Sequence, residues 1–157
     1  NSITNDTKNK VPYKTQVLRY SWIAEVCFNA NAESSRTDKP EIFANLAEIY
    51  SKLKFDRRAL SCFQFAQNIQ GDANKQKVLY LWAETLYKTG EYEKALEKLR
   101  ESMSINPEHL QSRVLLVQTL IKLNRTSEAN LEFQALKKAL PENSPTIRSL
   151  QALFEKK

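Results

Sequence analysis

Residues 82–107 read WAETLYKTGEYEKALEKLRESMSINP. Trp82, Ala83 and Leu86 recur at helical spacing before Gly90, and Ala95 and Leu99 do so after it, ahead of Pro107. The stretch therefore reads as two amphipathic helices joined by a short turn. Outward from it the same pattern returns. Ala95 and Ala129 stand 34 residues apart, and so do Pro107 and Pro141. Aligning segments that start at Pro40, Gln76 and Leu110 brings Phe43, Leu79 and Arg113 to the fourth place and Leu46, Trp82 and Leu116 to the seventh. The eighth place holds Ala47, Ala83 and Val117, and the eleventh Tyr50, Leu86 and Leu120. Ala59, Ala95 and Ala129 fill the twentieth, with Phe63, Leu99 and Phe133 at the twenty-fourth. A single helical hairpin cannot bury its apolar stripe alone, so units of this kind stack. Small residues at the eighth and twentieth places let neighbouring helix backbones approach, and larger side chains fill the space around them.

Composition points the same way. The chain has 157 residues, 41% hydrophobic and 27% charged, which suits one domain with its own core. Two glycines and five prolines leave little material for β-hairpins or a glycine-rich phosphate loop, so the fold class is all-α. Two cysteines, Cys27 and Cys62, cannot build a disulfide framework, and the lone His109 removes most metal sites and most histidine catalysis. Signatures of hydrolases, kinases, dehydrogenases and zinc sites are missing. We therefore expect no enzyme activity, no catalytic residue, no metal and no cofactor. No apolar run approaches the roughly 20 residues of a membrane span, and residues 1–12 lack the apolar core of a secretory signal. An intracellular location, cytoplasmic or nuclear, is expected. The chain starts at Asn1 and its one methionine is Met103, so it reads as a fragment or a processed product.

The net charge is +6 and the isoelectric point near 9.3. Lysines and arginines are interleaved with acids along the chain, as solvated outer helix faces would be. Glu91 with Lys94 and Glu97 with Arg100 are spaced for pairs worth roughly 0.2–0.5 kcal/mol each.

The units divide as repeat 1 over 40–75, repeat 2 over 76–109 and repeat 3 over 110–143, within a single domain of residues 13–157. The first unit is two residues longer, and the extra pair is expected near Gly71-Asp72-Ala73-Asn74. Residues 1–12 are polar and read as a disordered arm. Val17, Leu18, Trp22, Ile23, Val26 and Cys27 predict an amphipathic helix over 14–31. Pro40 opens the next helix, Asn106 is expected to cap a helix opened by Pro107, and Ser144 one opened by Pro145. Ile147, Leu150, Leu153 and Phe154 make 144–157 a capping helix for the last repeat.

The register resembles the tetratricopeptide repeat (TPR), a 34-residue helix-turn-helix unit with the pattern W-x2-L-G-x2-Y, then A-x3-F, then P. Departures are the alanine or valine at the eighth place, Arg113 at the fourth place of the third unit, and no closing proline in the first. The resemblance implies a right-handed α-solenoid of three TPR units with flanking N- and C-terminal helices. It implies a non-catalytic protein–protein interaction scaffold whose first helices line a concave groove. The groove places hold Asn45, Glu48 and Lys52 in the first unit, Tyr80, Leu81, Glu84, Tyr87 and Lys88 in the second, and Val114, Leu115, Gln118 and Lys122 in the third. Tyr80, Leu81, Tyr87, Val114 and Leu115 would form an apolar strip edged by charge, suited to a partner peptide or amphipathic helix. Whether the 14–31 helix or a partner fills it stays open. TPR co-chaperones grip a C-terminal carboxylate with lysine, arginine and asparagine at positions that here hold Ala44, Glu48, Leu81, Gln111 and Leu115, so a partner of that type is not expected. The competing reading is a nucleic-acid-binding accessory module using the basic convex face, which the interleaved acids disfavour.

Overall fold

A computed structural model describes residues 40–155; the readings made above for 1–12 and 14–31 lie outside the described residues. Seven helices and no strand occur among them. In chain order they are α1 (Pro40–Lys52), α2 (Asp56–Ala66), α3 (Asp72–Lys88), α4 (Tyr92–Ile105), α5 (Leu110–Lys122), α6 (Thr126–Ala139) and α7 (Pro145–Glu155). Helices α1–α2, α3–α4 and α5–α6 pack as hairpins, each against the next, in a helical solenoid.

The turn inside each hairpin is built three times over. Lys54, Gly90 and Asn124 occupy the fifteenth place and have φ of 62°, 83° and 59°. Each donates its N–H to the carbonyl three residues back, and the following N–H reaches five back, at 2.9 Å, to Tyr50, Leu86 and Leu120. This left-handed closure satisfies carbonyls that the first helix leaves unpaired. Gly90 was legible as a hinge. Lys54 and Asn124 show that the geometry persists without glycine, Asn at small cost and Lys at a larger one.

The core runs along the repeat places. Ala47, Ala59, Ala83, Ala95, Val117 and Ala129 are all 0% exposed, where a longer side chain would drive neighbouring backbones apart. Around them lie Leu46, Phe63, Leu99 and Leu120, each no more than 2% exposed. The rings of Phe63 and Trp82 stack at 6.0 Å across the joint between the first two units, and Lys98 Nζ sits 4.9 Å from the Trp82 ring centre. In α7, Ile147 and Leu150 are buried and Phe154 leans on Phe133 at 5.3 Å, so this helix covers the last hairpin.

Two local expectations are corrected. The helix after Asn106 opens at Leu110, not Pro107. Asn106 Oδ1 accepts the Glu108 N–H at 3.1 Å, closing a turn over the proline, and His109 becomes the cap by accepting the Ser112 N–H at 3.2 Å. The extra pair in the first unit is not a longer turn at 71–74 either. Gly71, at φ 84°, ends the connection, and Asp72–Asn74 are already helical. α3 has 17 residues where α1 and α5 have 13, while α2 has 11 where α4 and α6 have 14. Asp72 in the first turn favours the longer helix through its dipole. Ser144 caps as expected, its Oγ accepting the Ile147 N–H at 3.2 Å.

Replacing Ala95 by leucine overpacks the contact between α4 and its neighbours. We expect a loss of roughly 1–3 kcal/mol in denaturant unfolding. Unchanged stability would mean that the assigned register is wrong.

Candidate functional site

The first helices α1, α3 and α5 share one face, and two hollows open between them. One, of about 200 Å³, lies between α1 and α3 and is lined by Ala44, Asn45, Glu48, Lys77 and Leu81 among others. The second, of about 370 Å³, lies between α3 and α5, with Tyr80, Glu84, Gln111, Val114, Leu115 and Gln118 on its walls. Leu140 and Thr146, from the last connection and α7, close its end.

The expected groove residues divide between these hollows and the surrounding surface. Asn45, Lys52, Lys88 and Lys122 are exposed, while Glu48, Tyr80, Leu81, Glu84, Val114 and Gln118 are half-buried. Leu115 is a core residue, only 7% exposed, in the cluster that includes Ile147 and Leu150. It contributes part of the lining of the second hollow. Tyr87 meets Tyr92 of α4 edge-on at 5.3 Å and lines neither hollow; nor do Lys52, Lys88 and Lys122. The apolar strip is thus broken into two basins, with Leu81 in one and Tyr80 and Val114 in the other.

Charge is arranged mostly as internal pairs. Glu48 accepts from Lys52 at 2.7 Å and Lys77 at 2.8 Å, and Glu84 lies 3.3 Å from Lys88. Partial burial raises the Glu48 carboxyl, but the hydrogen bonds from the two lysines outweigh it and hold the group below its ordinary value. Burial, then the nearby Glu84 charge, pushes the Tyr80 hydroxyl up, so it stays a neutral donor at the hollow's wall.

Sequence reasoning missed a buried polar chain behind this wall. Gln76 Nε2 donates to Ser102 Oγ at 3.2 Å, Ser102 and Ser112 share a 3.0 Å hydrogen bond, and Ser112 Oγ stands 2.8 Å from His109 Nδ1. Ser102 and Ser112 are 0% exposed. Nδ1 also accepts the Ser112 N–H, which marks it as the unprotonated nitrogen, and the Gln76 carbonyl lies 3.4 Å from Ser102 Oγ as a further acceptor. The His109 ring then meets Tyr80 edge-on at 5.3 Å. A cap three residues before a serine was the available signal, obscured by the proline two positions earlier.

Among the described residues no group of His, Cys, Asp or Glu is placed to hold a metal ion, and no helix is long and apolar enough to cross a membrane. Burial pushes the Cys62 thiol up to about 11, which makes it a core filler and not a nucleophile.

The stacked hairpins, the repeated left-handed turns and the buried alanines make a helical array of the tetratricopeptide-repeat fold. The family model described as anaphase-promoting complex, cyclosome, subunit 3 matches residues 63–135, under half the chain. No curated protein matches in sequence. Among solved structures, a crystal structure of MamA is similar with a TM-score of 0.74 and 10% identity, covering 92% of this chain and 78% of that one. YrrB, a TPR protein described as having an unusual peptide-binding site, has a TM-score of 0.67 and 16% identity, covering 97% and 81%. A TPR protein from Parabacteroides merdae gives 0.67 and 19%, covering 92% and 59%. At these identities the likeness is one of fold.

Burial holds the His109 imidazole below its ordinary 6.5, and only the neutral ring caps α5. The unfolded chain therefore takes up the proton first. Stability is complete above 6.5 and falls as pH drops from there toward the lower folded value. His109→Asn keeps a capping oxygen without titrating. Denaturant midpoints between about pH 5 and pH 8 should fall less on acidification in this variant than in the parent. Parallel pH profiles would contradict the capping role.

Proposed function

We propose that the chain is a non-catalytic protein-interaction scaffold within a larger intracellular assembly, cytoplasmic or nuclear, and that it seats a partner peptide or helix on the face of α1, α3 and α5. The observation that carries this reading is the hollow between α3 and α5. Its aromatic wall at Tyr80 is backed by a satisfied polar chain, its aliphatic wall is Val114, and Glu84 and Gln118 stand at its polar edge. A stiff aromatic anchor beside an apolar basin with a few polar groups is what a short partner segment uses. The likeness to YrrB supports a peptide as ligand, and the match to a complex-subunit family supports the assembly. Residues proposed to touch the partner are Asn45, Glu48, Leu81, Tyr80, Glu84, Val114 and Gln118, with Lys52, Tyr87, Lys88 and Lys122 bordering them.

Several cations on or just before the second helices are paired with carboxylates, which weighs against nucleic acid. Lys94 pairs with Glu91 at 2.7 Å, Lys98 with Glu101 at 2.7 Å, and Arg100 and Arg125 both with Glu128 at 2.9 and 2.7 Å. Phosphates would have to displace these carboxylates.

A displayed library of short peptides, selected on the whole chain, provides the probe. Tyr80→Ala and Val114→Asp should each weaken a selected peptide by roughly tenfold or more, and Lys94→Ala should leave it unchanged. Binding that withstands both hollow substitutions but fails with Lys94→Ala would overturn the reading.

A further inference from the structure

The ninth place of a repeat is glutamate in the first two units, Glu48 and Glu84, and each lines the hollow that opens toward the next unit. The two joints treat this carboxylate differently. At the first, the second place of the following unit is Lys77, whose Nζ crosses from α3 to Glu48 at 2.8 Å, while Lys52 adds a 2.7 Å contact from within α1. Glu48 therefore has a cation on both sides. At the second joint the corresponding second place is Gln111, an uncharged side chain. Among the described residues the ion pair of Glu84 is with Lys88 of its own helix, at 3.3 Å. Lys88 is 46% exposed and lines neither hollow. An exposed pair of this kind is weak and yields to a better-placed cation.

Other cations on the elements around this hollow are directed elsewhere. Arg113 of α5 donates to the Pro107 carbonyl at 2.7 Å and stands 3.6 Å from Glu132, and Arg148 of α7 donates to the Asn143 carbonyl at 2.8 Å. Lys122 is exposed and lines neither hollow. Among the described residues that line the larger hollow, Glu84 is the one charged side chain. The hollow thus repeats the arrangement of the first joint with its bridging cation left out.

We infer that the partner segment enters the hollow between α3 and α5 with one basic side chain, which takes the place that Lys77 fills at the first joint, and that Glu84 selects it. This rests on the reading of the hollow as a peptide seat. The aliphatic stem lies along Val114 and Leu140 while the charged head meets the Glu84 carboxylate. The amide oxygens of Gln111 and Gln118 accept the remaining N–H groups, and the five donors of an arginine use them more fully than the three of a lysine. A polybasic partner does not fit, since the chain itself carries a net charge of +6. The complementarity is local: one cation in an otherwise apolar segment.

Short peptides selected from a displayed library on the whole chain are the probe. Those weakened by Tyr80→Ala sit in the hollow, and they should share one arginine or lysine. Exchanging that residue for its uncharged counterpart, citrulline or acetyl-lysine, should weaken binding to the parent by roughly tenfold. On Glu84→Gln the charged and uncharged peptides should bind within about twofold of each other. Gln111→Lys, which rebuilds the first joint's arrangement, should weaken the charged peptide by roughly tenfold and leave the uncharged one within about twofold. Peptides that need Tyr80 but share no basic residue would overturn the inference and leave the peptide reading standing. So would a charge preference that survives Glu84→Gln or Gln111→Lys. If no peptide is selected, or none is weakened by Tyr80→Ala, the peptide reading itself fails and the inference falls with it.

Discussion

The close approach of helices at six side chains sets everything else in this molecule. Ala47, Ala59, Ala83, Ala95, Val117 and Ala129 have no accessible surface, and they recur where each hairpin meets itself or its neighbour. Little hydrophobic energy comes from a buried methyl group, on the order of 1 kcal/mol. What the alanines supply is the short distance that lets Phe63, Trp82, Leu99 and Leu120 interlock around them. Without it the hairpins could not stack at a regular offset, and α1, α3 and α5 would not share a face.

Polar groups at the joints add direction to this packing. Thr85 and Thr119 turn their hydroxyls onto the carbonyls of Leu81 and Leu115, at 2.9 and 2.7 Å, and so bury an oxygen with its partner supplied by their own helix. Ser102, Ser112 and Gln76 satisfy one another across three helices. A sliding of α5 against α4 by one residue would leave these groups unpaired in the core, at a cost of about 1–3 kcal/mol each. The chain ends at His109 and Tyr80, so the element that fixes the register of the stack also fixes the wall of the larger hollow.

Much of this was legible in the residues. Period, small places and aromatic places are properties of single positions, and the hairpins follow from them. Placement departs from simple counting where neighbours compete. Pro107 suggests a helix start, but Asn106 turns the chain over it and His109 caps further on. Leu115 stands at a groove place by counting, yet α7 and the Leu116 neighbourhood draw it into the core. Tyr87 pairs with Tyr92, a contact that depends on how tightly α3 and α4 close on their turn. The buried serines were unreadable because a serine on an amphipathic helix looks like surface until its partners on other helices are known.

If close approach is the governing constraint, size must matter more than polarity at the alanine places. Ala83 offers the sharpest comparison, since serine is nearly its volume but more polar, and leucine is more apolar but far larger. Equilibrium unfolding in denaturant of Ala83→Ser and Ala83→Leu measures the two against each other. The account predicts that the serine variant keeps more of the parent's stability, its hydroxyl bonded to the carbonyl one turn back as in Thr85. A leucine variant as stable as the serine variant, or more so, would contradict it.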